Sequence, residues 1–234
     1  MHSKKFVQRL VPAFTLAEVL ITLGIIGVVA AMTLPALITE HKKTVLVSRL
    51  KKTYSILSQA IVTSEAENGS INEWDLGEDY TKANTKRVAD KYFMPYLKIL
   101  KTVDVSNNNG SYDSYGYVLN DGTTLLFSLD GSSKSGLSPS AILITADFSG
   151  AGSDGSIKTL DFSKNNFKME IDTYVGKLRF FTWGKTSYTQ DFTRDDLINH
   201  KTYGCNQKIS KTTRWNCGAL IQYDGWQIKD DYPW

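Results

Sequence analysis

An apolar run with one charge near its start constrains the fold of this chain more than any other feature. Residues 14–38 form 25 consecutive positions with a single charged side chain, Glu18. As a helix the run is about 37 Å long, enough to cross a bilayer hydrocarbon core of about 30 Å. A carboxylate inside hydrocarbon costs about 2.5–3.5 kcal/mol on insertion scales, so such a residue usually has a partner and a task.

The excess positive charge lies before this run. Of the 27 Lys and Arg residues, three precede residue 14, which leaves 24 basic against 24 acidic side chains. The rest of the chain is therefore neutral, and its composition makes no strong case for nucleic-acid binding. A hydrophobic content of 41% and a charged content of 22% are typical of a globular protein and exclude wholesale disorder.

The apolar run has three interpretations: a cleaved secretory signal, a plain membrane anchor, or an anchor with a second task. The small residues at 29–31 suit signal cleavage, with a mature chain starting at Met32. The run continues to Ile38, however, which is longer than a signal peptide needs. This length favours an anchor.

The segment at 13–21, AFTLAEVLI, resembles the cleavage and methylation signature of type IV prepilins and type II secretion pseudopilins. That family has a short basic leader, a small residue, and a Phe-Thr-Leu-x-Glu-Val run that opens the anchor. The resemblance implies that a prepilin peptidase cuts between Ala13 and Phe14 and methylates the new amine of Phe14. Ala13 stands where most prepilins have glycine.

The resemblance also implies assembly roles for Glu18 and Pro35. Glu18 lies about one helical turn after Phe14, where a neighbouring subunit in a bundle would present its terminal amine. Two charges that are each costly in lipid become tolerable when they pair, and the pair sets the register between subunits. Pro35 removes one hydrogen bond inside the helix, at the distance from Phe14 typical of pilin-like anchors.

The helix is predicted to continue past the membrane to about Ala66, for a total length of roughly 80 Å. One apolar stripe recurs at helical spacing, formed by Leu46, Leu50, Tyr54, Leu57 and Ile61. Gly69 and its neighbours then end the pattern. The stripe favours packing on a globular domain, with a heptad coiled coil as the alternative.

The rest of the chain predicts one α+β domain. A helical segment is predicted at residues 85–100, interrupted by Pro95. Strands are predicted at residues 114–119, 123–129, 141–148, 167–175 and 177–183, with turns at 120–122 and at Gly176. The fold class is thus α+β. Its long N-terminal helix, transmembrane in its first half, packs on an antiparallel sheet, which is the architecture that the pilin resemblance implies.

Four regions follow from these patterns. Residues 1–13 are the basic leader, residues 14–39 the transmembrane and assembly helix, and residues 40–66 its amphipathic continuation. Residues 67–234 form the extracytoplasmic α+β domain.

The two cysteines, Cys205 and Cys217, are twelve residues apart, without CxxC spacing or nearby histidines. Zinc ligation is therefore disfavoured. The pair forms either a disulfide outside the reducing cytoplasm or two buried thiols. Pilin-like proteins often carry a C-terminal disulfide loop, so the resemblance favours the disulfide.

Calcium binding is a further chemistry that the sequence permits. Asp147 and Asp154 flank a glycine-rich and serine-rich loop whose oxygen ligands suit calcium, and some pseudopilins bind calcium in a loop of this region. No other cofactor is expected.

The chain lacks the HExxH, GxSxG and P-loop patterns, so an enzyme is not expected. The aromatic tail, with Tyr223, Trp226, Tyr232 and Trp234, is a candidate partner surface, with core packing as the alternative.

These patterns predict a structural subunit, a pseudopilin or minor pilin, of a type IV pilus or type II secretion filament. Its expected partners are other pilin-like subunits, copies of itself, the prepilin peptidase, the inner-membrane assembly platform and the membrane. The expected location is the cytoplasmic membrane, single-pass with the C-terminal domain outside the cytoplasm, and then a periplasmic or surface filament. The alternative is a membrane-anchored extracytoplasmic binding protein or hydrolase that joins no filament.

Overall fold

The computed structural model of the protein describes residues 15–103, 114–130, 139–150, 160–173, 176–182 and 192–234. Its first element is a helix of 53 residues, α1 (Leu16–Asn68). Gly69 ends the helix with φ +82° and an N–H bonded to the carbonyl of Glu65, because glycine adopts this left-handed conformation without strain. The chain divides into two units by internal contacts, residues 1–43 and 44–234, with the boundary inside α1.

The second unit is built on a six-stranded antiparallel sheet in which sequence order equals spatial order. The strands are β1 (Ile99–Val103), β2 (Tyr115–Leu119), β3 (Thr124–Asp130), β4 (Ala141–Asp147), β5 (Asn166–Asp172) and β6 (Lys177–Phe180). Three more helices complete it: α2 (Lys82–Tyr92), α3 (Arg194–Asn199) and α4 (Cys217–Tyr223). Short 3-10 turns lie at Ile71–Glu73 and Met94–Tyr96.

The core lies between one face of this sheet and residues 44–68 of α1. Side chains alternate along a strand, so every second residue of the central strands faces the same way. In β3 to β5 these are Leu125, Phe127, Leu129, Ile142, Ile144, Ala146, Phe167, Met169 and Ile171, all buried. Leu50 and Leu57 of α1 are fully buried in the same cluster. The predicted α+β fold, a long N-terminal helix on an antiparallel sheet, is confirmed.

The helix is also tied to the sheet by polar and aromatic contacts. The guanidinium of Arg49 donates to the carbonyl of Phe148 at 3.1 Å and lies 4.8 Å from the centre of its ring. The ammonium of Lys52 donates to Asp121 in the β2–β3 turn at 2.7 Å. These contacts hold α1 across the strand ends of β3 and β4.

The predicted helix at residues 85–100 is partly wrong. α2 ends at Tyr92, and the chain then forms the turn at Met94–Tyr96 before it enters β1. Pro95 cannot donate a helical hydrogen bond and disfavours a helical conformation in the residue before it. The proline therefore ends the helix, and Ile99 and Leu100 belong to an edge strand.

Candidate functional site

The apolar half of α1 is exposed all round its circumference. An 18-residue window of this helix has a mean hydropathy of 2.3, and none of it is buried. Its large side chains include Leu16 at 78%, Met32 at 76% and Leu37 at 67% exposure. Water is a poor solvent for such a surface, so lipid or other apolar helices must cover it. Among the described residues, α1 is the one helix with the length and composition to span a membrane.

Glu18 takes part in a capping box at the start of α1. Its carboxylate oxygen Oε2 accepts hydrogen bonds from the Thr15 amide at 2.8 Å and the Thr15 hydroxyl at 2.7 Å. The Thr15 hydroxyl oxygen in turn accepts a bond of 3.2 Å from the Glu18 amide. This reciprocal arrangement satisfies amide groups that have no partner inside the helix. Glu18 therefore has a local structural role that the sequence pattern did not reveal.

The capping geometry leaves part of Glu18 available. Both bonds from Thr15 end on Oε2, and the residue is exposed. Oε1 can therefore accept a cationic donor while the cap stays intact, since an ionised carboxylate has about four acceptor positions. The predicted cleavage residues, Ala13 and Phe14, lie outside the described residues.

Pro35 lies within α1, and the helix continues through it. The carbonyl of Pro35 accepts a bond of 2.9 Å from the Thr39 hydroxyl. Pro35 has no N–H, so the helix loses one backbone hydrogen bond at this point without ending. The role of Pro35 in assembly stays a prediction.

Cys205 and Cys217 form a disulfide that closes a loop next to α4. Both residues are fully buried, and Cys217 is the first residue of α4. The backbone amide of Cys205 donates to Leu197 of α3 at 2.9 Å. The loop thus connects the last two helices, and the predicted disulfide is the pairing that the structure contains.

Asp147 ends β4 and is fully buried. Its Oδ1 accepts bonds from the amide and hydroxyl of Ser149 and from the side chain of Asn166, while its buried Oδ2 has no hydrogen-bond partner among the described residues. The other predicted calcium ligand, Asp154, lies outside the described residues. Within the parts of the chain that the structure describes, no three His, Cys, Asp or Glu residues form a metal-binding group. Calcium binding at this loop stays a prediction.

Residues 150–155 match the letters of the Gly-x-Gly-x-x-Gly dinucleotide motif. That motif binds a cofactor where a parallel strand passes into a helix. Here the preceding strand, β4, pairs antiparallel with both β3 and β5. The strand before the motif therefore lacks the parallel pairing of that setting, and residues 151–155 lie outside the described residues.

The aromatic residues of the tail have different environments. Tyr232 is buried and donates to the carbonyl of Ser163 at 2.7 Å. Trp226 lies against Tyr54 and Phe180 with ring centres 5.7 and 6.0 Å away. These two residues belong to the packing of the domain. Trp234 and Tyr223 retain exposed surface, so they are the remaining candidates for contact with a partner.

Lys168 is a half-buried lysine that the sequence patterns did not single out. It projects from β5 on the face opposite the core, and its ammonium lies 4.3 Å from the ring centre of Trp215 and 4.9 Å from that of Phe181. Burial lowers the pKa of Lys168 to about 8, although the carboxylates of Asp130 and Glu170 favour its charged form. Its position between Phe167 and Met169 was the available signal, because alternation places it on the other face.

The comparisons with known proteins give a family but no function. The model of a family described as a family of unknown function, DUF6613, matches residues 36–234. No curated protein and no solved structure matches the chain. The matched region begins directly after Pro35, so it leaves out Glu18. It includes the whole sheet and the disulfide.

Proposed function

The chain belongs to the DUF6613 family of unknown function, and we propose that it is a structural subunit of a filament of the type IV pilus or type II secretion class. In this proposal the peptidase hydrolyses the bond between Ala13 and Phe14, and the amine of Phe14 is methylated. The mature subunit then assembles through the apolar half of α1. The observation that carries the proposal is the wholly exposed apolar helix with one carboxylate in its first turn.

The exposed helix supports assembly because it has two suitable environments. Before assembly, lipid covers its apolar surface, since 18 residues or more of such hydropathy can span a bilayer. In a filament, the same surface is covered by the equivalent helices of other subunits. One element thus serves as membrane anchor and as filament core, as in the family that the residues at 13–21 resemble.

Glu18 supports a defined register between the helices. Its Oε2 is held by Thr15, which fixes the orientation of the carboxylate at the start of the helix. The remaining Oε1 pairs with the terminal amine on Phe14 of a neighbouring subunit. Because an unpaired charge is costly in an apolar bundle, displacement of the register by one turn is penalised.

The globular unit supports a location outside the cytoplasm. Disulfides persist in oxidising compartments and are rare in the cytosol, and the bond between Cys205 and Cys217 is part of the fold. The proposed subunit therefore crosses the cytoplasmic membrane once, with residues 44–234 on the outer side. Its proposed partners are other pilin-like subunits, copies of itself, the prepilin peptidase and the membrane-embedded assembly platform.

The capping box also fits the alternative of an anchored binding protein that joins no filament, because it gives Glu18 a purpose within one chain. Two variants separate these functions. Glu18→Gln keeps an oxygen that accepts from Thr15 but removes the charge. Thr15→Val removes the hydroxyl of the cap but keeps the charge of Glu18.

The test uses the chain in its native host, with sheared filaments and membranes quantified by immunoblot and the amino-terminal mass measured. We expect wild type to start at N-methylated Phe14 and to appear in the filament fraction. Glu18→Gln should lose at least about tenfold of this incorporation while membrane levels are kept, and Thr15→Val should lose much less. Equal incorporation of Glu18→Gln and wild type would contradict charge pairing. An equal loss in both variants would attribute the effect to the cap.

A further inference from the structure

A groove lined by cationic side chains lies beside the disulfide loop, on the second unit of the chain. Its volume is about 770 Å³, within the range of ligand-binding pockets. Its lining includes Lys164, Lys208, Lys211 and Arg214, against one acidic residue, Asp161. This concentration of positive charge is local, because basic and acidic residues balance over residues 14–234.

The walls of the groove are fixed by Arg214. Its guanidinium donates to the carbonyls of Ile209 at 2.9 Å, Gln207 at 3.4 Å and Pro233 at 3.4 Å. A further bond of 3.3 Å reaches the hydroxyl of Ser163. One side chain thus joins the disulfide loop, the C-terminal tail and the turn after residue 160. Arg214 is a positioning residue, since its donors are directed at the chain itself.

Further hydrogen bonds within the chain also hold the walls of the groove in place. The amide of Phe162 donates to the carbonyl of Lys211 at 2.9 Å, which joins the turn to the disulfide loop. Asp161 accepts from the amide and hydroxyl of Ser163 through the same oxygen, Oδ1. The acidic residue is therefore used in the turn, and its charge offsets only one of the four cations.

Two of the groove lysines, in contrast, have ammonium groups without an ion-pair partner among the described residues. Within the described parts of the chain, neither Lys208 nor Lys211 has a salt bridge, and both are exposed. Lys164 lies with its ammonium 5.4 Å from the ring centre of Trp234. Lys208, Lys211 and this Lys164–Trp234 pair line the same groove, so its surface attracts an anion.

We propose that this groove binds a segment of an acidic polysaccharide, with its carboxylates at the lysines and its hydroxyl groups at Gln207 and Ser210. Lysine suits carboxylates that recur along a polymer, because the ammonium is a point charge without a fixed bidentate geometry. The amide and hydroxyl supply the neutral hydrogen bonds that sugar rings require. This binding is independent of filament assembly, so it does not depend on the proposed function.

The lining favours a polysaccharide over single-stranded nucleic acid. Proteins that bind single strands stack successive bases on several aromatic rings. Among the described lining residues, Trp234 is the one aromatic side chain, and Lys164 lies over its ring. Base readout also relies on arginine forks, and the fork of Arg214 is already bonded to the backbone.

The experiment measures binding of a fluorescently labelled oligogalacturonate to the full chain in detergent micelles at low salt. Its methyl ester, which has the same rings without the charges, is the ligand control. The groove variant is Lys208→Gln with Lys211→Gln. The matched protein control is Lys98→Gln with Lys101→Gln, two exposed lysines at the β1 edge of the sheet.

We expect wild type and the matched control to bind the charged oligomer and to bind the ester much more weakly. The groove variant should bind about tenfold more weakly than wild type, with an unchanged melting temperature. The single reversal Lys208→Glu should weaken binding as well. The proposal is overturned if the oligomer does not bind, if both double variants lose affinity equally, or if a single-stranded DNA oligomer binds more tightly with the same dependence on the groove.

Discussion

The hydroxyl of Tyr54 on α1 donates a hydrogen bond of 2.9 Å to the carbonyl of Leu178 on β6. The Tyr54 ring stacks on Phe180 of the same strand, with ring centres 5.4 Å apart, and meets the edge of Trp226. This contact joins the C-terminal half of α1 to an edge strand of the sheet, at the point where the tail returns to the helix.

We expect Tyr54→Phe to lower the free energy of unfolding by about 1 kcal/mol, because one hydrogen bond is lost and the ring stays in place. Tyr54→Ala should cost about 3–5 kcal/mol, since the aromatic packing is lost too. Urea unfolding of the full chain in detergent, followed by near-UV circular dichroism, measures both values. Tyr223→Phe is the control, because Tyr223 is 56% exposed. Identical curves for Tyr54→Phe and wild type would show that the bond adds nothing to stability.

Reduction of the disulfide should destabilise the globular unit by about 3 kcal/mol, as expected for a closed loop of this length. Both cysteines are fully buried, so we also expect dithiothreitol to act slowly until the fold opens. Thiol trapping after reduction, together with melting curves of wild type and of Cys205→Ala with Cys217→Ala, measures the effect. Fast reduction at a low concentration of reductant would contradict a buried bond.

Acid should weaken the link between α3 and the segment after α4. Arg194 donates to Asp224 at 2.8 Å and to Asp231 at 2.7 Å, and Lys229 donates to Asp224 at 2.7 Å. Hydrogen bonds from Arg194 lower the pKa of Asp231. Burial alone would raise the pKa of Asp224, but the bonds from Arg194 and Lys229 outweigh it and lower that pKa as well.

The sign of the pH effect follows from these lowered pKa values. The stabilisation is present above the ordinary carboxyl pKa of about 3.9 and is lost as the pH falls through the lower folded values. We expect Asp224→Asn to cost about 2 kcal/mol at neutral pH and progressively less as the pH approaches 3 or below. The exposed Asp230→Asn is the control. A constant difference between Asp224→Asn and wild type across this range would contradict the linkage.

Lys168 should make stability rise with pH in an alkaline window. Its pKa is lowered to about 8 by burial, whereas an unfolded lysine titrates near 10.4. Between these values the unfolded chain binds more protons, so the free energy of unfolding increases with pH. Subtracting the curve of Lys168→Met from that of wild type isolates this contribution, with the exposed Lys101→Met as control. Parallel curves for wild type and Lys168→Met would show that Lys168 titrates normally.

The sequence predicted the central strands well because their alternation reflects the packing directly. Leu125 and Phe127 face the core, as do Ile142 and Ile144 on the paired strand. The limits of α2 and β1 were harder to predict, since the apolar residues at 99 and 100 also fit a helix. α3 was not predicted, because six residues are too few to show a clear helical periodicity. Its capping box, formed by Thr193 and Asp196, is nevertheless visible in the sequence.

The candidate site was only partly visible from sequence. Glu18 was evident because one charge in an apolar run has few ordinary explanations, but its bond to Thr15 required coordinates. Cys205 and Cys217 had no other cysteines with which to pair. The groove lysines were undetectable, because Lys164 and Lys208 are distant in sequence and are brought together by tertiary contacts such as those of Arg214.

The order of the strands in the sheet bears on how the chain folds. Each strand pairs with the next one along the sequence, from β1 to β6. The connections range from four residues between β2 and β3 to 18 residues between β4 and β5. Pairing between strands that are neighbours in sequence keeps the entropy cost of loop closure low. A chain that is synthesised amino terminus first can add its strands in the order in which they appear. Cys205 and Cys217 follow all six strands in the sequence, so their disulfide closes the part of the chain that is synthesised last.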